Sequence, residues 1–212
     1  MVQIYTYSLG PLQTNCYIIA NEESKEALIV DAGMNPDELI YQAEEYTVAA
    51  ILMTHAHFDH MGGLDKIRKK VKAPVYIHKS EQEWLSNADL NGSSRWPMVG
   101  GAMLADPAEH EVADGEILEL AGFCIRALET PGHTPGGLSF LIDNHLFSGD
   151  TLFARSIGRT DLPGGNYDQL MDSIHDKLME LPDETVVHPG HGPATTIGDE
   201  KTSNPFISGI MR

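Results

Sequence analysis

Four side chains that can bind metal ions fall within six residues of this chain. They are His55, His57, Asp59 and His60, in the stretch Thr54-His-Ala-His-Phe-Asp-His-Met-Gly-Gly63. The apolar run 49–53 before them predicts a short buried strand, so the four residues come where a strand ends and a helix begins. In extended backbone His55 and His57 point to the same side, and the following turn can aim Asp59 and His60 at a neighbouring point. This spacing favours two adjacent metal ions over one closed tetrahedral site.

A purely structural role is a poor explanation for this cluster. A single histidine at a strand end is usually a surface or core residue. Three histidines and an aspartate so close together would crowd polar groups at the strand end for no structural gain. Metal binding is therefore the expected role of the stretch.

Three further residues of ligand type occur singly, each beside a glycine. They are His133 in Thr130-Pro-Gly-His133, Asp150 in Ser148-Gly-Asp150 and His191 in Pro189-Gly-His191. Glycine lets the backbone turn sharply after a strand. Active sites in layered folds gather at such loops, so the common placement of these residues predicts that they join one site.

The elements that must position these residues are strands and helices in alternation. Strands are predicted over residues 2–8, 14–20, 27–31, 49–53, 74–78, 116–120, 123–129, 138–142, 145–149 and 184–188, and helices over 35–45, 62–71, 81–85 and 167–181. Two strand-rich halves, each with helices and with no linker between them, fit one α/β (α+β) domain over residues 1–212. The expected architecture is a sandwich of two sheets covered outside by helices.

Residues 86–114 and Asp31 can each be interpreted in two ways. Residues 86–114 show little periodicity, and a loop of this length in a small domain is either a flap over the site or an ordinary surface excursion. Asp31 follows a predicted strand. It either begins a helix or orients the metal-binding loop from outside the ligand set.

Composition limits the classes of partner. The chain has 212 residues, 42% of them hydrophobic, and 14 basic against 31 acidic residues give a net charge of −17. The longest basic run is Arg68-Lys-Lys70. Because an enzyme acting on nucleic acid normally carries a basic face, nucleic acid is not an expected partner.

The sequence also predicts a cytoplasmic location. It shows neither a secretion signal pattern nor an apolar run of membrane-spanning length, so no membrane partner is expected. Cys16 and Cys124 are the two cysteines and form no CxxC motif, which fits a reduced compartment. Both lie in strand-like runs and are expected to be small core residues.

The full order of ligand-type residues resembles that of the metallo-β-lactamase-fold hydrolases over nearly the whole chain. That order is His-x-His-x-Asp-His, then a later His, a later Asp and a last His. Other stretches resemble the glyoxalase-II-like subgroup, which comprises small bacterial proteins related to hydroxyacylglutathione hydrolase. These stretches are Leu90-Asn-Gly-Ser93, Gly158-Arg-Thr-Asp161, Gly164-Gly165 and Asn204-Pro-Phe206. The resemblance implies a four-layer αββα sandwich with the site at one end of its two sheets.

The resemblance also implies a pair of metal ions and their ligands. One ion takes His55, His57 and His133, the other takes Asp59, His60 and His191, and Asp150 bridges the two. Zinc is expected from nitrogen and carboxylate ligands, although iron or manganese accept the same set. The remaining histidines match no ligand position and are expected to be structural or exposed.

The implied activity is hydrolysis of a small-molecule thioester, such as S-lactoylglutathione or a conjugate of a related thiol. A hydroxide bridging the two metal ions would attack the acyl carbonyl, and Asp59 would help to orient it. Phe58, Asn91 and Arg159 are the predicted substrate contacts, although Arg159 and Asp161 could equally form a structural ion pair. The sequence predicts no particular oligomeric state.

Other functions compete with this one. A mono-iron persulfide dioxygenase of the same superfamily is the main alternative, and it would leave the second ligand set empty. A lactonase, a nuclease and a non-enzymatic metal-binding module are further alternatives. Only Gly192–Arg212 follows His191, which is too short for the helical domain of full-length glyoxalase II. Dependence on glutathione is therefore expected to be weak.

Overall fold

The strands pack into two six-stranded sheets and one two-stranded ribbon, in a computed structural model that describes residues 2–209. In chain order they are β1 (Val2–Leu9), β2 (Thr14–Asn21), β3 (Glu26–Val30), β4 (Thr47–Leu52), β5 (Val75–His78), β6 (His110–Val112), β7 (Ile117–Leu120), β8 (Phe123–Glu129), β9 (Leu138–Ile142), β10 (His145–Gly149), β11 (Leu152–Phe153), β12 (Ser156–Ile157), β13 (Val186–Pro189) and β14 (Thr195–Thr196). The first sheet has the order β1-β2-β3-β4-β5-β6 and the second β14-β13-β10-β9-β8-β7. The ends of the predicted 1–212 domain, residue 1 and residues 210–212, lie outside the described residues.

Helices lie on the outer faces of both sheets. They are α1 (Asp37–Ala43), α2 (Phe58–Met61), α3 (Leu64–Val71), α4 (Gln82–Leu85), α5 (Tyr167–Ser173) and α6 (Ile197–Ser203). A π-helical turn, Ile174–Leu178, continues α5. Helix α2 differs from the others because it contains two of the predicted metal ligands, Asp59 and His60.

The period-two alternation of the strands builds three apolar layers. In the first sheet Ile18 and Ile29 pack with Leu39 and Leu64 of the outer helices, while Ile19 and Leu28 face the second sheet. The second sheet repeats the pattern on its outer face. There, strand residues pack with residues from α5 and the turn that follows it, namely Leu128, Leu146, Val187, Leu170 and Ile174. Because successive side chains point to opposite faces, one strand can fill two layers. The predicted αββα sandwich is confirmed.

Parallel pairing brings the ligand loops to one end of the molecule. Strands β3 and β4 are parallel with Val30 opposite Leu52, and β10 and β13 are parallel with Gly149 opposite Pro189. The chain leaves parallel strands at the same edge. The loops that carry ligand-type residues therefore meet above the carboxyl ends of these strands.

Some elements differ from the sequence prediction. The predicted helix 62–71 is preceded by α2, a separate short helix that includes Asp59 and His60. The predicted loop 86–114 contains β6, whose exposed residues give little alternation. Helix α6 lies after the last predicted strand, where no helix was predicted, and it begins where the Thr196 side chain accepts a hydrogen bond from the backbone N–H of Asp199.

The two cysteines have different environments. Cys16 is buried, as expected, but Cys124 is exposed. The expectation for Cys124 is wrong because it alternates on β8 with Phe123 and Ile125, whose side chains point inward. Within residues 2–209, every helix is too short or too polar to cross a membrane.

Candidate metal centre

All seven predicted metal ligands lie together at the end of the sandwich where the loops after β4, β8, β10 and β13 meet. Their ligand atoms form three overlapping groups, in each of which the atoms lie within 4.8 Å of one another. The groups are His55, His57 and His133; His55, His60 and Asp150; and Asp59, His60 and His191. Residues that are up to 136 positions apart in the sequence, counted from His55 to His191, thus reach one site.

The first group is a trio of converging imidazole nitrogens. Nε2 of His55 lies 3.1 Å from Nδ1 of His57, which lies 2.9 Å from Nε2 of His133. Nitrogens bound tetrahedrally to zinc at the usual bond length are about 3.4 Å apart. The observed spacing is close to that value, so the trio fits a single metal ion.

Hydrogen bonds on the far side of two rings set their tautomers. The Thr54 hydroxyl donates to Asp31 Oδ2 at 2.8 Å, so it accepts the Nδ1–H of His55 at 3.0 Å. The Nδ1–H of His133 donates to the backbone oxygen of Arg159 at 2.8 Å. Both Nε2 atoms therefore carry lone pairs towards the trio, as metal coordination requires.

The second ligand group, Asp59, His60 and His191, combines a carboxylate with two histidines and shares His60 with the group that contains Asp150. Oδ2 of Asp59 lies 3.2 Å from Nε2 of His191 and 3.6 Å from Nε2 of His60. The Thr14 hydroxyl donates to the same oxygen at 2.8 Å. The His60 ring turns its Nε2 towards Asp59, and its Nδ1–H on the opposite side donates to Asp31 Oδ2 at 2.8 Å. This group is thus oriented by hydrogen bonds in the same way as the first.

Asp150 lies between the two groups. Its Oδ1 is 3.3 Å from Nε2 of His60, and its Oδ2 is 3.5 Å from Nε2 of His133 and 3.6 Å from Nε2 of His191. Within residues 2–209, Asp150 Oδ1 and the Nε2 atom of His60 are buried without a hydrogen-bond partner. Buried polar atoms normally have partners, so the side chains present fit bound metal ions.

The electrostatics of the site favour cations. Burial lowers the pKa of His57 to about 3 and the pKa of His55 well below its usual value, so both rings are neutral. Burial opposes ionisation of Asp59, yet His60 and His191 outweigh it and lower its pKa to about 2. For His60, burial is outweighed by nearby carboxylates, first that of Asp150, which raise its pKa. A metal cation would take the place of that proton.

Asp31 supports the ligands of both groups from the end of β3. Its carboxylate accepts hydrogen bonds from the Thr54 backbone N–H at 2.8 Å, from the Thr54 hydroxyl and from His60. It lies in left-handed backbone conformation with φ of 58°, which aspartate tolerates better than most residues. Helix α1 begins later, at Asp37, so the geometry favours the orienting role over the helix-entry role.

Sequence reasoning missed Glu81, a buried carboxylate that joins two ligand loops. Its Oε2 accepts the backbone N–H of Ala56 at 3.0 Å, between His55 and His57. Its Oε1 accepts the backbone N–H of Gly136 at 2.8 Å, in the loop of His133. Burial raises the pKa of this carboxyl group. A lone glutamate beside a short helix gives no sequence signal for such a role.

The beginning of β2 was also missed, although it holds the His191 loop. The Asn15 side chain donates to the backbone oxygens of Pro189 at 3.0 Å and Gly192 at 2.8 Å. The loop itself requires a glycine at position 190, because a Cβ atom there would lie 2.2 Å from Asp150 Oδ1. Thr-Asn at the start of a strand is too common a pattern to indicate this function.

A pocket of about 380 Å³ opens onto the ligands, and all three predicted substrate contacts, Phe58, Asn91 and Arg159, line it. The side-chain amide of Asn91 donates to the backbone oxygens of Trp84 at 3.0 Å and Met103 at 2.9 Å. Both of its hydrogens are therefore used in contacts with the protein backbone. The guanidinium of Arg159 binds Asp161 at 2.7 and 2.8 Å, which is the ion pair of the second interpretation. Substrate contact by these residues stays a prediction.

Part of the long segment 86–114 forms a wall of this pocket. The pocket is lined by Leu90, Asn91, Gly92, Arg95 and Trp96. The ring centroids of Trp96 and Phe58 are 6.3 Å apart. The backbone oxygen of Asn91 accepts the backbone N–H of Phe58 at 3.0 Å. This part of the segment is therefore attached to the metal-ligand loop and is not a separate surface excursion.

Two curated relatives match along most of the chain. A probable metallo-hydrolase, YqgX of Bacillus subtilis, is 44% identical over 207 residues, which cover 95% of this chain and 96% of the relative. The hydroxyacylglutathione hydrolase GloC of Haemophilus influenzae is 37% identical over 201 residues, with 92% and 93% covered.

Solved structures agree with the fold. The B3 metallo-beta-lactamase BLEG-1 superposes with a TM-score of 0.92 at 45% identity, covering 97% of this chain and all of that one. The protein TTHA1623 in a di-iron-bound form gives 0.82 at 39% identity, with 95% and 99% covered. ETHE1 from Myxococcus xanthus gives 0.79 at 28% identity, with 99% and 85% covered. A family model matches residues 9–191, and with these relatives it shows that the chain belongs to the metallo-beta-lactamase superfamily.

Proposed function

We propose that the chain is a dinuclear metal-dependent hydrolase of thioesters. The observation that carries the proposal is the presence of two ligand groups with Asp150 between them. Its two oxygens face His60 of one group and His133 of the other. An enzyme that needed one metal ion would have no use for the second group, Asp59, His60 and His191.

The chemistry divides between the metal ions and the protein. When bound, two divalent cations supply hydroxide at neutral pH and polarise the acyl oxygen. The protein orients the ligands through Asp31 and Thr14 and keeps the carboxylates ionised. Nearby histidines, first His60, outweigh burial and hold the pKa of Asp150 well below its usual range. A thiolate leaves without a strong general acid, so a site whose carboxylates are ionised suits a thioester.

The names of the relatives support the same reaction class. GloC is described as a hydroxyacylglutathione hydrolase, and YqgX as a probable metallo-hydrolase. The nitrogen and carboxylate ligand set accepts zinc, which we propose as the resident metal. The di-iron form of TTHA1623 supports iron as the alternative,. The acidic net charge of the chain, −17, supports a small-molecule substrate over nucleic acid,.

The main competing function is that of a mono-iron persulfide dioxygenase. That reaction needs one redox-active iron with open positions. A second competitor follows from BLEG-1, which is described as a B3 metallo-beta-lactamase. Hydrolysis of a β-lactam amide would use the same two ligand groups, so it differs from the proposed function in substrate alone.

A substrate panel with oxygen control separates these functions. The protein, with its metal content measured, is assayed against S-lactoylglutathione, an uncharged acyl thioester, a penicillin and glutathione persulfide. We expect thioester hydrolysis that continues without dioxygen and stops when a chelator removes the metal. Oxygen consumption with the persulfide, or turnover of the penicillin alone, would overturn the proposal.

A further inference from the structure

Two arginines line the pocket, and they differ in their partners. The guanidinium of Arg159 already makes two hydrogen bonds to Asp161. Arg95 is exposed at the mouth of the pocket, and its guanidinium makes no hydrogen bond or ion pair with any residue between 2 and 209. An arginine side chain stays charged at any pH that a protein tolerates. Arg95 is thus the pocket cation whose hydrogen-bond donors are left for a ligand.

Arg95 is held at the pocket by the backbone around it. It ends a short 3-10 turn, Ser93–Arg95, and its N–H donates to the backbone oxygen of Gly92 at 3.1 Å. The preceding Asn91 is buried and fastened through its side chain and backbone, including the bond to Phe58 in α2. The position of Arg95 is therefore tied to the loop that carries the metal ligands.

The rest of this wall is mainly apolar. Its residues include Leu12, Phe58, Leu90, Trp96, Phe153 and Ile157. A ligand that fills the pocket therefore makes mostly apolar contacts and meets one unpaired cation. The planar guanidinium fork matches the two oxygens of a carboxylate. Because Arg95 is the single unpaired cation among the described residues of the pocket, it matches a ligand with one carboxylate,.

We propose that Arg95 binds a carboxylate of the substrate, so that the preferred thioesters are monoanions with an apolar body. This inference rests on the proposed thioesterase function and names the substrate class of that site. It assigns recognition to segment 86–114, apart from the metal ligands. The carboxylate lies in the substrate at a distance from the thioester carbonyl, since the metal centre and Arg95 are different parts of the pocket.

The test uses two thioesters that differ by one charge, S-acetyl mercaptopropionate and its primary amide. We expect wild-type kcat/KM to be about 5- to 20-fold higher for the carboxylate, the range for a charge-assisted hydrogen bond near solvent. Arg95→Gln should abolish most of this preference, and Arg95→Glu should reverse it, mainly through KM for the anionic thioester. Arg126→Gln is the matched control, because Arg126 is exposed on β8 outside the pocket.

The outcomes separate this inference from the proposed function. Hydrolysis of both thioesters at equal rates by the wild type, or a preference that survives Arg95→Glu, overturns the role of Arg95 and leaves the thioesterase intact. Failure to hydrolyse either thioester, with two metal ions bound, overturns both. Circular dichroism of each variant checks that the exposed substitutions leave the fold unchanged.

Discussion

The two halves of the sandwich supply the predicted metal ligands in different ways. The first half contributes His55, His57, Asp59 and His60 from one loop and the short helix α2. The second half contributes His133, Asp150 and His191 from three loops. Local backbone geometry positions the first set, whereas the second depends on strand register and on contacts across the sandwich. A cluster within one loop can be recognised from sequence, but a dispersed set needs the fold to bring it together.

Contacts between the halves compensate for the dispersed second set. Glu81 joins the backbone of Ala56 to that of Gly136. Asn15 joins β2 to the His191 loop. Because these contacts involve backbone groups, they fix the loops and leave the ligand side chains free for metal ions. We therefore expect metal binding and activity to require the ligands of both halves at the same time.

The largest expected effect comes from two single substitutions, each of which removes one predicted ligand from one half. His60→Ala and His133→Ala should each lower thioesterase kcat by about 100- to 1000-fold or more, because either loss disturbs chemistry that needs both ions. Metal content should fall towards one ion per chain, while circular dichroism should still show the folded sandwich. Wild-type turnover in both variants would contradict a shared centre.

A smaller loss is expected from Asp31, which acts on the first loop alone. Asp31→Asn weakens the hydrogen bonds to Thr54 and His60 and should lower metal affinity by about 10- to 100-fold, as for other residues behind metal ligands. Competition with a chromophoric chelator measures it. Asp143→Asn is the control, since Asp143 also has left-handed backbone, with φ of 53°, and is exposed. Equal affinities in the two variants would show that Asp31 does not orient the ligands.

Glu81 tests the connection between the halves. In Glu81→Gln an NH₂ group replaces one acceptor oxygen and faces the backbone N–H of Ala56 or Gly136. We expect about 10-fold weaker metal binding, the low end for residues behind the ligands. The spectrum of the cobalt-substituted protein should also change. Glu83→Gln, a substitution at an exposed position of α4, the helix that begins directly after Glu81, should alter neither. An unchanged cobalt spectrum in Glu81→Gln would mean that the two loops are positioned independently.

The smallest expected effect concerns His188, in the strand that leads to His191. Burial, and then His145, lower the pKa of His188 to about 4. As pH falls from about 6.5 towards 4, the unfolded chain binds a proton that the folded protein excludes, so stability decreases. In chelator-treated protein, His188→Phe should flatten this fall while keeping the stack on Phe147. Urea unfolding between these pH values measures it, and an unchanged slope would show that the half-buried His188 ring is not kept neutral in the folded protein.

The architecture and the ligand-type residues were predictable from the sequence for different reasons. Alternating apolar residues fill two layers from single strands, so strands such as β8 and β10 were evident. The ligand residues were evident from chemistry and from a family resemblance. Residues such as Glu81 and Thr14 were not, because their roles depend on contacts across 25 and 45 positions with Ala56 and Asp59. Short elements such as β6 were hidden by their exposure.

Titration of metal-free protein with zinc tests the central claim most directly. If both halves complete one dinuclear centre, thioesterase activity should rise until about two equivalents of zinc per chain are bound. The activity at this point should be the same with and without dioxygen. Activity that reaches its maximum at one equivalent, or that appears only with iron and dioxygen, would contradict the account.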